Sequence, residues 1–229
     1  MDTVRIAALL EPFLKQSLTP YQLDQISIYI DLLQHWNARI NLTAIRSEEE
    51  IVTRHFAESL FMARHLFPAG AANAESPTLE GAPSKLRLGG GVRVLDIGSG
   101  AGFPALPLKI WAPNIHLTMI ESNHKKTAFL REVARTLKFT NINVITGRAE
   151  ALAASPDHPQ ADIVTLRAVE RFETILTLAI TLLAPHARLA MLIGSGQLSS
   201  LTTVPGVTWR QPIPIPESHS RVLSIGVPQ

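Results

Sequence analysis

The sequence predicts an α/β fold: a mostly parallel sheet wrapped by helices, closed by an antiparallel C-terminal hairpin and preceded by a helical extension. Three observations carry this. From residue 92 onward, short apolar runs alternate with helical patterns, the mark of parallel strand–helix–strand units. One of these runs leads straight into a turn containing Gly98, Gly100 and Gly102. Residues 1–68, by contrast, show helical periodicity. At 229 residues, 46% hydrophobic and 17% charged, the chain is long and apolar enough for one α/β core with an appendage.

The extension reads as helices in succession. Ile6, Leu9, Leu10, Phe13 and Leu14 fall on one face at helical spacing. Thr19 offers an N-cap, Pro20 the first helical position and Gln22 the reciprocal capping-box partner for a helix running through Leu23, Ile26, Ile30 and Leu33 to Trp36. Ser47 and Glu50 repeat that signature ahead of Ile51, His55, Phe56 and Leu60, and Pro68 ends the helix. Residues 69–91 turn to Ala, Gly, Pro and Ser without periodicity, the composition of a flexible connector, so residues 92–229 form the sheet domain.

In that domain, strands are expected near 92–97, 115–120, 142–146, 162–166 and 187–193, with helices near 103–111, 123–138 and 170–183. The tail predicts two further strands, Val204 to Ile215 and Arg221 to Val227, pairing as an antiparallel hairpin. Pro212, Pro214 and Pro216 confine part of it to an edge, because proline has no N–H to give the ladder.

Composition removes several chemistries. No run approaches the roughly 18 apolar residues of a membrane span, and Met1 to Lys15 lacks a cleavage-site pattern, so the expected location is cytoplasmic. With no cysteine there is no disulfide framework, no thiolate zinc site, and no covalent nucleophile of the kind that methylates C5 of a pyrimidine. His35, His55, His65 and His124 are scattered at spacings unlike a metal site, and no neighbouring Asp or Glu completes a ligand cluster, so no metal is expected; His35 and His55 read as packing or hydrogen-bonding residues and Trp36 as core. A net charge of +2 permits a nucleic-acid partner without demanding one.

The glycine turn, Val94 to Gly102, is the strongest signal. Glycines allow positive φ and let the backbone approach a ligand closely. A dinucleotide site usually spaces them G-x-G-x-x-G, but here the third comes one residue early. Asp96, just ahead of the turn, suits a ligand bearing an ammonium group rather than a pyrophosphate. Glu121 ends the next strand, where such folds bind ribose hydroxyls. Asp96, Gly98, Gly100, Gly102 and Glu121 therefore predict S-adenosylmethionine on a Rossmann-like, class I methyltransferase sheet.

Further motifs are Trp36-Asn37, Asn41-Leu42-Thr43, Arg54-His55 with Glu58-Ser59, the turn extended through Phe103-Pro104, Lys125-Lys126, Phe129-Leu130, Gly147-Arg148-Ala149-Glu150 and Arg167-Ala168. Together, over residues 20 to 225, the chain resembles the bacterial 16S rRNA guanine-N7 methyltransferases once named glucose-inhibited division protein B. The resemblance implies donor contacts at Gly98, Phe103, Ala149, Glu150 and Arg167, with Glu150 near the adenine and Arg167 at the mouth of the site. It also implies 16S rRNA or the small ribosomal subunit as partner, with a monomer as the expected state. The chain departs from the family's usual Lys-Gly pair at Ile193-Gly194, with Arg188 or Arg210 as replacements for that basic contact, or else a weaker grip on RNA. Its connector is also long, and Glu58 stands where relatives often carry Asp.

Guanine N7 is already a lone-pair nucleophile, so transfer to it needs alignment and no general base. In agreement, Leu166-Arg167-Ala168-Val169 lacks the Asn-Pro-Pro-aromatic pattern of amine methylation, and Arg167 is the candidate for positioning. Residues 123–148 hold Lys125, Lys126, Arg131, Arg135, Lys138 and Arg148 against the single acid Glu132; Lys125, Arg148 and Arg54 are the RNA-binding candidates. The donor half alone fits a small-molecule or protein acceptor equally well, and a non-catalytic ribosome-assembly factor is the remaining alternative.

Overall fold

The computed structural model describes residues 1–68, 91–155, 160–168, 172–202 and 204–229, so all of the predicted connector except Gly91 lies outside the described residues. Helix α1 (Thr3–Leu10) buries Ile6 and Leu10. Helix α2 (Pro20–Asn37) opens on the predicted capping box: Gln22 N–H donates to Thr19 Oγ at 3.3 Å and Thr19 N–H to Gln22 Oε1 at 2.9 Å. The next helix differs from expectation. Ser47 makes no side-chain cap, and a short α3 (Glu48–Glu50) runs into a π-helical stretch, Ile51–Ala57, before α4 (Glu58–Leu66). Such wide turns are rare and occur disproportionately at functional sites. This one carries Arg54 and His55.

The sheet strands are β1 (Arg93–Ile97), β2 (His116–Glu121), β3 (Ile142–Thr146), β4 (Ala161–Arg167), β5 (Leu183–Gly194), β6 (Val207–Trp209), β7 (Ile213–Pro214) and β8 (Arg221–Pro228). Their order is β3-β2-β1-β4-β5-β8-β6, with β7 also on β8. Pairs from β3 through β5 are parallel, and β8 runs antiparallel to β5, β6 and β7. The expected first strand of the hairpin is thus two short pieces either side of Pro212. The intervening helices are α5 (Ala105–Trp111), α6 (His124–Thr136), α7 (Ala149–Ala153) and α8 (Phe172–Thr181); the sequence did not predict α7.

Two apolar clusters show how the layers meet. One joins α1, α2, α4, α5 and α6 to Leu117, Met119, Ile163, Leu192 and Leu223 of the sheet. The other joins α7 and α8 to Leu95, Ile120, Val164, Leu166 and Met191. Alternate residues of each strand face opposite layers, which is why these strands read as nearly continuous apolar runs. The N-terminal helices therefore share a core with one face of the sheet. Gln22 adds a polar tie, donating from Nε2 to the carbonyl of Ile110 on α5 at 2.9 Å.

Candidate functional site

The parallel strands β1, β2 and β4 end side by side, and Asp96, the three glycines, Glu121 and Arg167 lie at those ends, where ligands bind in open α/β sheets. Past β1 the chain turns through Gly98 (φ 71°), Gly100 (φ 54°) and Gly102 (φ 88°). The turn is pinned to β2, because Gly98 N–H and Ser99 N–H both donate to the carbonyl of Ile120, at 2.9 and 3.0 Å. Glu121 holds it from the side, accepting from Gly100 N–H at 2.9 Å and Asn123 N–H at 2.8 Å. Each carboxylate oxygen keeps a lone pair for a further donor.

Gly102 is glycine for a reason the sequence does not reveal. A Cβ there would lie 2.5 Å from Leu106 Cδ1 and overlap the hydroxyl of Tyr29, which comes from α2 and donates to the carbonyl of Ala101. Gly100 has the same kind of φ but its nearest neighbour, the Gly98 carbonyl, is 3.8 Å away. Gly102→Ala is expected to cost about 2–3 kcal/mol, and Gly100→Ala about 1 kcal/mol. Urea denaturation of both variants checks the difference; equal losses would refute the packing argument.

Asp96 is 1% exposed. Its Oδ1 accepts from Thr165 Oγ at 2.6 Å, while Oδ2, equally buried, has no partner. Burial pushes this carboxyl up from 3.8 to about 6. An orphaned carboxylate oxygen below the glycine turn fits a bound ammonium group.

Phe103, right after the turn, packs its ring between Tyr29 (centroids 5.3 Å) and His55 (4.7 Å), with Phe56 edge-on at 5.1 Å. With the ring so engaged, what Phe103 offers a ligand is chiefly its backbone. His55 Nε2 lies 2.8 Å from Thr43 Oγ, which itself accepts from Ile45 N–H at 3.1 Å. The hydroxyl proton is thus best satisfied on Nε2, leaving the imidazole proton on Nδ1, which is buried without a partner. Burial, with Arg167, Arg54 and Arg221 nearby, lowers the imidazole to about 3, so it stays neutral. The Asn41-Leu42-Thr43 motif serves this arrangement: Asn37 Oδ1 accepts from Leu42 and Thr43 N–H, holding the loop that carries Thr43.

Glu58, 2% exposed, gathers three guanidiniums: Arg54 at 3.7 Å, Arg167 at 3.2 Å, and Arg221 closer still. Arg167 also donates to the carbonyl of Arg54 at 2.5 Å, while its Nη1 is buried and unpartnered. Burial lowers this guanidinium to about 10, which leaves it cationic at neutral pH. Ala168 then leaves the strand at φ 49°, a backbone strain commoner at functional sites.

The other predicted residues are dispersed. Ala149 is buried at the start of α7, with Arg148 and Glu150 exposed on either side. This turn adjoins Glu121, whose carbonyl accepts from Gly147 N–H at 3.0 Å. Arg54 is half exposed beside Glu58, and Lys125 is exposed on α6. Arg131 is drawn onto β3, donating to Val144 O and Thr146 Oγ at 2.9 Å each. Trp36, as expected, packs, giving its N–H to Glu132 at 3.1 Å. Arg188 does not take the place of the missing lysine: it pairs with Ile163 near the opposite end of β4 and donates to the carbonyl of Leu66. Arg210 hydrogen-bonds the backbone of Ile225, beside that same region. The cation next to Ile193-Gly194 is Arg221, opposite Gly194 across the antiparallel pair.

The family model for rRNA small subunit methyltransferase G (GidB) matches residues 22–71 and 84–205. The chain belongs to this family. Relatives within it include the ribosomal RNA small subunit methyltransferase G of Roseiflexus castenholzii, 36% identical over 90% of each chain. That of Streptococcus suis is 35% identical over 93% of this chain and 82% of its own. Among solved structures, cofactor-bound Rv0187 from MTB superposes with a TM-score of 0.61 at 13% identity, covering 89% of each chain. TrmN from Thermus thermophilus gives 0.52 at 19% identity over 78% of this chain and 53% of its own. These likenesses confirm the Rossmann-like methyltransferase fold. Sequence reasoning missed Tyr29, Thr165 and Arg221 in this member of the GidB family. The only local signal was the aromatic at Tyr29 on the apolar face of α2, which looks like any core residue.

Proposed function

We propose that this chain transfers the methyl group of S-adenosylmethionine to N7 of a guanine in the 16S rRNA of the small ribosomal subunit, acting in the cytoplasm. The observation that carries the donor assignment is Asp96 Oδ2, a buried acceptor with no donor, under a turn of three glycines in the left-handed region. Asp96 would take the donor's ammonium, Glu121 the ribose hydroxyls, and the turn from Gly147 to Glu150 the adenine. Gly98, Gly100, Gly102 and Phe103 would line the path with backbone. When bound, S-adenosylmethionine supplies an electrophilic methyl on a sulfonium.

The acceptor side needs no proton removed, and the residues match that need. His55, held near 3, takes up no proton at neutral pH. Its Nδ1–H and the Nη1 of Arg167 are two buried donors without acceptors. They suit oxygen acceptors, the guanine O6 or the donor's carboxylate, and so orient rather than deprotonate. With one counter-ion in Glu58 and two companion arginines, Arg167 stays fixed as charge moves from sulfur to the purine.

The acceptor is tested by tritiated methyl transfer to small subunits lacking the modification, with the labelled nucleotide mapped by mass spectrometry. Label on a guanine N7 of 16S rRNA is expected. Absence of label on both subunits and extracted rRNA, from protein that binds the donor, would overturn the acceptor in favour of a small-molecule, protein or purely structural role. Arg167→Ala is expected to lower the rate by about 100-fold; an unchanged rate and donor affinity would remove Arg167 from the site.

A further inference from the structure

Between the loop that follows α2 and the start of α6 lies a groove of about 320 Å³, lined by Arg39, Ile40, Asn41, Asn123, Lys125 and Lys126. Three of the six are cations, two are primary amides, and none is an acid. The one acid of α6, Glu132, accepts from Trp36 N–H. Among the described residues, no carboxylate lies within ion-pair distance of the groove's three cations.

Both walls are rigidly based. Arg39 N–H and Ile40 N–H donate to the carbonyl of Trp36, at 2.9 Å each, and Asn37 fixes Leu42 and Thr43 beyond them. On the other wall, Asn123 accepts from Lys125 N–H at 2.9 Å and Lys126 N–H at 3.2 Å. Those two helix-end amides are thus already satisfied, and the attraction for an anion comes from the side chains. Asn123 N–H also donates to Glu121, so the groove adjoins the candidate donor pocket directly.

We infer that this groove binds the phosphodiester backbone of the acceptor RNA strand beside the target nucleotide. Cations contributed from two sides, on backbone that is itself held, track a polyanion, and exposed amides serve its phosphate and sugar oxygens. One wall comes from the helical extension and the other from the sheet domain. The grip on RNA then requires both, which assigns the loop after α2 a role in substrate binding. The inference rests on the proposal that the acceptor is RNA.

The test uses the full chain carrying Arg39→Gln, Lys125→Gln and Lys126→Gln together. Filter binding of extracted 16S rRNA is measured across a potassium chloride series, with calorimetry of S-adenosylmethionine binding alongside. The expected result is a 10- to 100-fold loss of RNA affinity near 0.1 M salt. The slope of log affinity against log salt should fall by about 2 to 3, since each phosphate contact contributes about 0.7 to 0.9. Donor affinity should be unchanged. In methyl transfer, KM for RNA should rise at constant kcat. Unchanged RNA affinity and slope, in a variant that still binds the donor, would overturn the groove while leaving the methylation proposal intact. If the variant loses affinity and slope as expected but the parent transfers no methyl, the groove's contact with RNA backbone stands as a binding site while the acceptor assignment fails.

Discussion

Asp96→Asn is expected to weaken S-adenosylmethionine binding by about 100-fold, because truncating one partner of a buried charge pair costs about 2–5 kcal/mol. The donor-free variant should nevertheless be about as stable as the parent. In the parent, Asp96 keeps one oxygen on Thr165 and buries the other without a donor. Its carboxyl sits at about 6 against an ordinary 3.8, so the folded protein holds this proton more tightly than the unfolded chain. The stability difference therefore appears as pH rises between these values: below 3.8 the group is neutral in both states, and above about 6 its ionisation costs the donor-free fold about 3 kcal/mol. Asparagine removes that cost while leaving one buried N–H₂ to satisfy, and the two effects offset.

The same linkage predicts a pH dependence of binding. An ammonium on Oδ2 favours the ionised carboxylate, so binding releases a proton wherever free Asp96 is protonated. Donor affinity should rise about tenfold from pH 5 to pH 7 and fall again above about pH 8, where an α-amino group loses its proton. In Asp96→Asn the acid limb should vanish. Calorimetry in buffers of different ionisation enthalpy reads both affinity and proton release; an acid limb that persists in the variant would show that Asp96 does not meet the ammonium.

Glu58→Gln should destabilise the protein by about 3 kcal/mol, toward the lower end of the range for removing one partner of a buried ion pair. Its carboxylate is the shared counter-ion of Arg54, Arg167 and Arg221. The Arg54 and Arg221 side chains are 48% and 22% exposed and can turn toward water, but Arg167, at 11%, has little room to do so. Burial pushes the Glu58 carboxyl up while the three guanidiniums hold it down, so its charge depends on their presence. For a chain of this size the loss corresponds to a melting temperature lower by about 10 °C. Glu58→Asp, which retains the charge on a shorter stem, should lose about a third of that. A melting temperature for Glu58→Gln within 2 °C of the parent, a margin of about 1 kcal/mol, would mean the cluster is not held by this carboxylate.

Local chemistry made much of the protein legible in its sequence. Strands of a parallel sheet covered on both faces are largely apolar, so β1, β2 and β4 stand out as short runs, while the half-buried edge strand β3 stands out by its β-branched residues. Thr19, Pro20 and Gln22 announce α2 because a capping box closes within four residues. Asp96, the glycines and Glu121 were legible as the residues of the proposed donor site because both carboxylates lie at or within one residue of a strand end, next to the turn.

What only the tertiary structure decided is non-local. Tyr29 dictates a glycine at 102, Thr165 engages one oxygen of Asp96, and Glu58 gathers arginines from its own helix, from β4 and from β8. Arg188 and Arg210 read as candidates for the missing lysine until the register of β5 placed Arg188 opposite Ile163, near the far end of β4, with Arg210 beside it, and set Arg221 opposite Gly194. The π-helical turn at Ile51–Ala57 was hidden as well, since its apolar spacing passes for an ordinary helix and one of its carbonyls, that of Arg54, meets Arg167 only after docking. Sequence patterns record which face of an element is buried. Which charges meet across that burial depends on strand order, register and helix docking, and those are settled only when the whole core closes.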